Sequence, residues 1–517
     1  MYKCAKRAFI ILIIMIATSL HCVAPTQAAD ASQTVQAQLK ASQPSRATQN
    51  REDVARFYEL RDFQPAWNSQ NAAFALTFLK SAGQEGLDPA AYRIPKKAKG
   101  KSAASAWDIQ MSAAVMRYAR HLRAGRVKPS QIYNDVELPA TDFDAADQLN
   151  TALKQGDLET FFRSLPPQRP EYYYLRNALA NYRAAAKKPW GQMPALAGAI
   201  DTLPIETQQK LWTRLAAEDR KMGPVQDEPS VAALTAGLQR FQARHGLDAD
   251  GILGTNTVSA MNVPAARRIA QIKANMERWR WLPHIPERRY IEVNVASADL
   301  KAVDTGRTVL TSAVVIGHRE SKTPILATGI RSVVLNPAWP VPASMASNEL
   351  YPKLLANGSY LQERDMILVN GPPDDPQGVN MNWRQVRRYP FPYLIQQQPG
   401  EQNALGAYLL DMRNRFDVYL HDTPSKELFS SAQRFFSHGC VRVERIAELA
   451  NFVVTGDPQT DIPQHANLPR NKSERILIAP LFPVYFVYWT AFMSPDGGVV
   501  FQDDIYGRDP ALIAALG

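Results

Sequence analysis

Ser437-His438-Gly439-Cys440-Val441-Arg442 brings a thiol, an imidazole and a guanidinium into six consecutive residues, and Tyr419 and His421 lie shortly before them. These residue types suit exchange of an amide bond. Cysteine attacks as the thiolate, and a nearby imidazole can take its proton. The tetrahedral oxyanion that follows needs donors already in place. The backbone N–H groups of Gly439 and Cys440 and the Tyr419 hydroxyl are candidates, and Arg442 can hold a substrate carboxylate. An isolated cysteine is most often a small packing residue, but Cys440 sits among groups that packing does not need. The other two of the chain's 3 cysteines, Cys4 and Cys22, fall in an N-terminal segment that reads as an export signal. His21 before Cys22 argues against a lipid-attachment site. Without that segment Cys440 has no partner for an internal disulfide.

The elements around these residues should place them. Phe416, Val418 and Leu420 alternate with Asp417, Tyr419 and His421. An extended strand puts the second set on one face, so Tyr419 and His421 project together. Val443 to Val454 reads as a helix with Glu444 in its first turn. Cys440 would then stand just before a helix N-terminus, where the dipole favours a thiolate. Gly439 lets the backbone approach a substrate closely. If residues 440–442 are extended, Arg442 points the same way as Cys440. Asp422 adjoins His421, but alternation turns it away, so a backbone carbonyl is the expected partner of the ring.

The rest of the chain reads as an α+β protein. Residues 1–29 form the signal, with Lys3, Lys6 and Arg7 before an apolar run and small residues at Ala28 and Ala29 for cleavage. Residues 30–50, rich in Ala, Gln, Ser and Thr, read as a flexible linker. Residues 51–220 are helical: Met111, Val115, Tyr118, Ala119 and Leu122 recur at helical spacing, and Phe161, Phe162 and Tyr172 to Tyr174 supply aromatic core. Residues 228–264 form a compact helical unit. Ser230 caps a helix whose inner face is Val231, Leu234, Leu238 and Phe241, Asp250-Gly251 and Gly254 mark turns, and Thr255 caps a second short helix. Residues 265–287 read as a connecting helix. From 288 to 480 the pattern turns to strands, such as Ile291, Val293 and Val295 alternating with Glu292 and Asn294. Within it, about 343–400 is too long and irregular for a plain loop and reads as an insertion with its own small structure. Residues 481–517 are C-terminal strands and tail. Ile476 to Phe492 is apolar but carries Pro480 and Pro483, so it reads as strands rather than as a membrane span.

The run YLHDTP, with 15 residues between His421 and the SHGCVRV that follows, resembles the L,D-transpeptidase catalytic domain. The resemblance extends to NPAWPVP at 336–342, NALG at 403–406 and NMERWRWLP at 275–283. The stretch LQRFQARHGLDADGILGTNTVSAMN is similar to the small three-helix peptidoglycan-binding domain. With the helical scaffold before it, the whole arrangement resembles the larger multidomain murein L,D-transpeptidases of Gram-negative bacteria, in which the insertion caps the active site. The resemblance implies that Cys440 attacks the amide between diaminopimelate and D-alanine of a tetrapeptide stem, leaving a thioester. The side-chain amine of a second stem's diaminopimelate would then give a 3→3 cross-link. It implies His421 as base partner. It also implies Tyr419, Ser437, His438, Gly439 and Arg442 as oxyanion or substrate-binding residues. Trp383, inside the insertion, covers the stem or packs within the cap. A carbapenem should acylate Cys440.

Composition fits this reading. Apolar residues make up 45% and charged residues 21%, as in a globular chain. The formal charge of +10 falls to +7 without the signal's three cations; it is spread along the chain and suits anionic envelope material without marking a site. No nucleic-acid motif is present. No Ser-x-x-Lys, Gly-x-Ser-x-Gly or His-Glu-x-x-His pattern points to another hydrolase class or to a metal, and no cofactor is implied. The expected location is the periplasm. An uncleaved signal would add a membrane anchor, and cell-wall synthesis proteins are conceivable partners. Two alternatives stay open: an L,D-carboxypeptidase or cross-link hydrolase with the same nucleophile, and a non-catalytic murein-binding scaffold.

Overall fold

Runs of β-branched residues after residue 288 pair into one mixed sheet, and that sheet frames the chemistry. The computed structural model describes residues 25–41, 49–187, 192–225, 227–284, 287–431, 433–463, 468–494 and 497–517. Ring strands are β1 (Arg289–Asn294), β2 (Asp299–Asp304), β3 (Arg307–Gly317), β4 (Ile325–Leu335), β5 (Tyr408–Met412), β6 (Leu420–His421), β7 (Val441–Val443) and β8 (Glu474–Val487). Their order is β4-β8-β1-β2-β3-β7-β6-β5, and β5 pairs back with β4, so the sheet closes on itself. Closure satisfies the edges that an open sheet would expose. Val136–Glu137 adds to β4, and Phe435–Ser437 adds to β3. Inward residues such as Ile291, Val293, Val314, Ile316, Val333, Leu410, Leu420 and Val441 fill the core. The helix Ile446–Thr455 packs Leu449, Ala450 and Phe452 into the same cluster.

β8 lies between β4, antiparallel, and β1, parallel. The expected boundary at 480 therefore does not exist: residues 481–487 continue a central strand. The helix Ala265–Arg280 is likewise more than a connector. Asn275, Glu277, Arg278 and Arg280 on it are buried, and Trp279 stacks on Trp489 with ring centres 4.3 Å apart. Arg278 Nη2 pairs with Asp509 Oδ1 at 2.6 Å.

Around the insertion read at about 343–400, the strands Trp339–Pro340, Ile395–Gln397 and Met366–Leu368 form a three-stranded sheet. Leu350, Leu354, Leu361, Met366, Trp383 and Ile395 give it a core of its own. The small helical module is larger than 228–264. The helix Ile205–Ala216 contributes Leu211, Trp212 and Leu215 to one cluster with Leu234, Leu238, Phe241 and Val258, and this is its third helix. Val231, placed on the inner face from the sequence, is exposed.

The helical stretch 51–220 does not form one body. Residues up to 80, 90–117 and 144–161 make one compact unit, and the helix Pro170–Ala185 belongs to the other. Within the first unit Asp108 accepts from the Tyr58 hydroxyl at 2.6 Å and from the N–H groups of Ala66 and Trp67. Part of the flexible linker is also a helix, Pro25–Ala41, with Val35 fully buried. Its Ala, Gln and Lys content favours a helix over a coil. The linker residues 42–48 and signal residues 1–24 lie outside the described residues, while Ala28 and Ala29 fall within this helix. Among the described residues no helix is long and apolar enough to cross a membrane.

Candidate active site

Two short parallel strands bring the reactive groups together. Leu420 of β6 stands opposite Val441 of β7, and His421 opposite Arg442. The Val441 N–H donates to the Tyr419 carbonyl at 3.1 Å. Tyr419 and His421 share a face as expected, their rings meeting edge-on at 5.5 Å and 69°. Asp417 does not belong to that strand. It takes φ 53° in a turn, and its carbonyl accepts from Cys440 Sγ at 3.6 Å.

The Ser437 hydroxyl shapes the loop that carries the thiol. It donates to the Cys440 carbonyl at 2.5 Å and accepts from the Gly439 N–H at 3.1 Å. The Gly439 N–H is thereby committed, and the oxyanion donors suggested by the sequence reduce to the Cys440 N–H and the Tyr419 hydroxyl. Gly439 has φ 115°, a region that excludes a side chain without strain. Beneath it the fully buried Thr323 hydroxyl donates to the Gly439 carbonyl and accepts from the Gly317 N–H, both at 2.9 Å. A Cβ on Gly317 would stand 2.0 Å from the Ser321 carbonyl oxygen and 3.1 Å from Gly439 Cα, so only glycine lets the two backbones meet. The Tyr506 hydroxyl completes the brace by donating to the Gly317 carbonyl at 2.5 Å.

The helix expected right after the nucleophile begins only at Ile446, because Val441–Val443 forms β7 first. Its dipole, which acts over about one turn, is therefore not at Cys440. Burial instead pushes the thiol above its ordinary value, opposed by the backbone N–H and hydroxyl of Tyr419 and by the Arg442 charge. Burial, with Arg442 adding to it, drives the His421 imidazole down to about 3. The resting pair is thus neutral thiol and neutral imidazole. His421 Nδ1 is buried without a hydrogen bond, and the Asp422 backbone carbonyl and, less strongly, its carboxylate oppose the fall of the imidazole. That carboxylate accepts from the Ala407 N–H at 2.9 Å and from Lys426, bracing the 403–407 turn. Burial lowers the Arg442 guanidinium, while Cys440 and Glu427 raise it, and its Nε is buried with no partner. Burial and the neighbouring thiol both raise the Tyr419 hydroxyl.

The insertion reaches this loop at two points. Glu349 Oε1 lies 3.0 Å from His438 Nε2, and the Trp339 indole reaches the Tyr419 hydroxyl. His438 also meets the His318 ring edge-on at 5.3 Å, and His318 Nδ1 lies 3.0 Å from Glu320 Oε2. Trp383 is not brought to the thiol: it is 4% exposed, packed in the insertion's own core against Tyr393. Trp339, Thr323, Glu349 and Tyr506 were not anticipated. Trp339 lies in the quoted NPAWPVP run, which was the one available signal.

Three families match this chain. Residues 52–179 match the scaffold domain, 209–261 the family described as "Putative peptidoglycan binding domain", and 288–460 the L,D-transpeptidase catalytic domain. A Haemophilus influenzae protein named "Putative L,D-transpeptidase" is 30% identical over 239 residues, 46% of this chain and 48% of that protein. The chain thus spans about half the length of that curated relative. Among solved structures, a mutant of the Enterococcus faecium L,D-transpeptidase is 12% identical, covering 40% of this chain and 51% of that one, with a TM-score of 0.20. The L,D-transpeptidase of Xylanimonas cellulosilytica is 14% identical, covering 57% and 98%, with a TM-score of 0.18. Cys440, His421, Tyr419 and Arg442 all lie inside 288–460, and the chain carries an L,D-transpeptidase catalytic domain together with a scaffold domain and a peptidoglycan-binding domain.

Proposed function

We propose that the protein is a peptidoglycan L,D-transpeptidase acting outside the cytoplasmic membrane through a Cys440 thioester. One observation carries the reading: the lone thiol among the described residues lies at the strand pair that also carries His421 and Arg442, inside the catalytic-domain match. In the first step the thiol proton passes to the neutral His421 as Sγ attacks the carbonyl of diaminopimelate. The C–N bond to D-alanine breaks, D-alanine leaves with that proton on its amine, and a thioester remains. In the second step the side-chain amine of another stem attacks the thioester carbon. The C–S bond breaks, the amine's proton returns to the thiolate, and a 3→3 cross-link forms. The Tyr419 hydroxyl and Cys440 N–H face the oxyanion, and Arg442, with an unused donor, holds a stem carboxylate.

The test is mass spectrometry of tetrapeptide muropeptides incubated with the pure mature protein. Dimers lacking one D-alanine are expected, and none from a folded Cys440→Ala variant. Tripeptide without dimer would assign a carboxypeptidase instead, and turnover by Cys440→Ala would end the thioester mechanism. A carbapenem should add its mass once per chain, on Cys440.

A further inference from the structure

A cavity of about 500 Å³ lies between the small helical module and the strand ring, within one compact unit. Its size falls in the range of small-molecule sites, about 300–1,000 Å³. The module contributes the turn with Asp248 and Asp250 and the first residues of the helix Thr255–Met261, among them Asn256. The catalytic domain contributes Gln433, Gln502 and Asp503. The turn is built rather than loose: the buried Gln242 donates to Asp250 Oδ1 at 2.7 Å and accepts from the Gly251 N–H at 2.8 Å.

The lining has a definite chemistry. Arg434 is its single basic residue, and its guanidinium is already spent on the carbonyls of Ser297, Ala298, Val314 and Ser431 and on Asp299. What remains is carboxylates, carboxamides, hydroxyls such as that of Thr255, and an apolar part that includes Leu247, Ile252, Ile505 and Phe435. Carboxylates and carboxamides are the partners of neutral hydroxyl and acetamido groups, and three like charges repel an anionic ligand. A stem peptide carries free carboxylates, whereas a chain of N-acetylated amino sugars carries none. We propose that this cavity binds the sugar backbone of peptidoglycan and leaves the stems to the thiol site. The proposal rests on the reading of the chain as a peptidoglycan transpeptidase.

Position supports the assignment. Phe435, on the cavity wall, opens the strand Phe435–Ser437 that leads into the nucleophile loop. Five residues of extended chain reach at most about 18 Å, so the Phe435 wall of the cavity lies within that distance of Cys440. An extended four-residue stem spans about 14 Å. A sugar held in the cavity would therefore present its own stem near the thiol, which turns the helical module from a remote tether into one wall of the substrate path.

The test uses the full mature chain and the N-acetylglucosamine tetramer as probe, read by saturation-transfer NMR. Asn256, Gln433 and Asp503 are exposed, so replacing them leaves the fold undisturbed; matching melting curves check this. Wild type should transfer saturation to the sugar, and Asn256→Ala/Asp503→Ala should reduce it at least threefold. Cross-linking of sacculi should fall three- to tenfold in that variant, while turnover of sugar-free tetrapeptide stays unchanged. Gln433→Ala, on the opposite wall, should act in the same direction. Equal sugar binding by wild type and both variants would overturn the proposal. So would displacement of the tetramer by a tri-lysine peptide with higher affinity, which would assign the cavity to a cationic peptide. Failure of wild type to cross-link at all would instead strike the transpeptidase reading, and the sugar titration would still decide the cavity.

Discussion

Glu349 of the insertion and His438 of the nucleophile loop stand 3.0 Å apart, Oε1 to Nε2, although they are far apart in sequence. Both side chains are half-exposed, so the pair contributes no more than about 1 kcal/mol. Its consequence is placement: it fastens the insertion two residues before the thiol. Glu349→Gln should leave the melting temperature within a few degrees of wild type. If the insertion covers the proposed thioester, this loosens the cover and admits water. The share of hydrolysed product should rise severalfold, measured alongside cross-linked product in one assay. An unchanged ratio would show that the insertion does not control water at the site.

Cys440 provides a prediction in pH. Burial raises its thiol and holds His421 as a neutral base at about 3. A raised thiol pKa means that the thiolate appears only on the alkaline side of the ordinary cysteine value. Alkylation by iodoacetamide in the substrate-free protein should therefore climb about tenfold per pH unit through neutrality, as ionisation limits it. A plateau below pH 7 would indicate a preformed thiolate–imidazolium pair and contradict this electrostatic account.

Ser437 is predicted to act through Gly439 and Cys440. Ser437→Ala removes two hydrogen bonds, each worth about 1 kcal/mol net, and leaves a buried N–H unpaired. Turnover should fall about 10- to 100-fold, with KM changed less than kcat. Ser437→Thr keeps the hydroxyl and should restore most of the rate. Equal loss in both variants would make the position steric.

Trp383 should behave as core. Trp383→Ala should destabilise the insertion by about 3–5 kcal/mol, seen as early proteolysis within 343–400 before the rest of the protein unfolds. Trp383→Phe keeps most of the volume and should retain the wild-type product ratio. A Phe variant as impaired as the Ala variant, with an intact insertion, would restore a substrate contact.

Tyr419, His421, Cys440 and Arg442 could be read from the sequence because strand alternation is local: residues two apart share a face, and two short runs carried all four. Their companions could not be read this way. Thr323 and Glu349 lie 117 and 91 residues before the thiol, and what brings them there is ring closure and the folding of the insertion. The misplaced helix has a plainer cause. Val441 and Val443 are β-branched and flank Arg442 in a two-residue period, which is a strand pattern. The helix Pro25–Ala41 was missed for the opposite reason, since a polar Ala- and Gln-rich stretch has composition enough for a coil and propensity enough for a helix.

The central position of β8 sets a timetable. Ribosomal synthesis delivers the ring strands in order, so β4 and β1 wait for a neighbour that arrives only with residues 474–487. Tyr506, which steadies Gly317 under the nucleophile loop, emerges later still. An incomplete chain thus holds Cys440 before it holds the strand and the tyrosine that fix its loop. The geometry around Cys440 is therefore assembled last, once residues 474–487 have joined β1 to β4 and Tyr506 has reached Gly317.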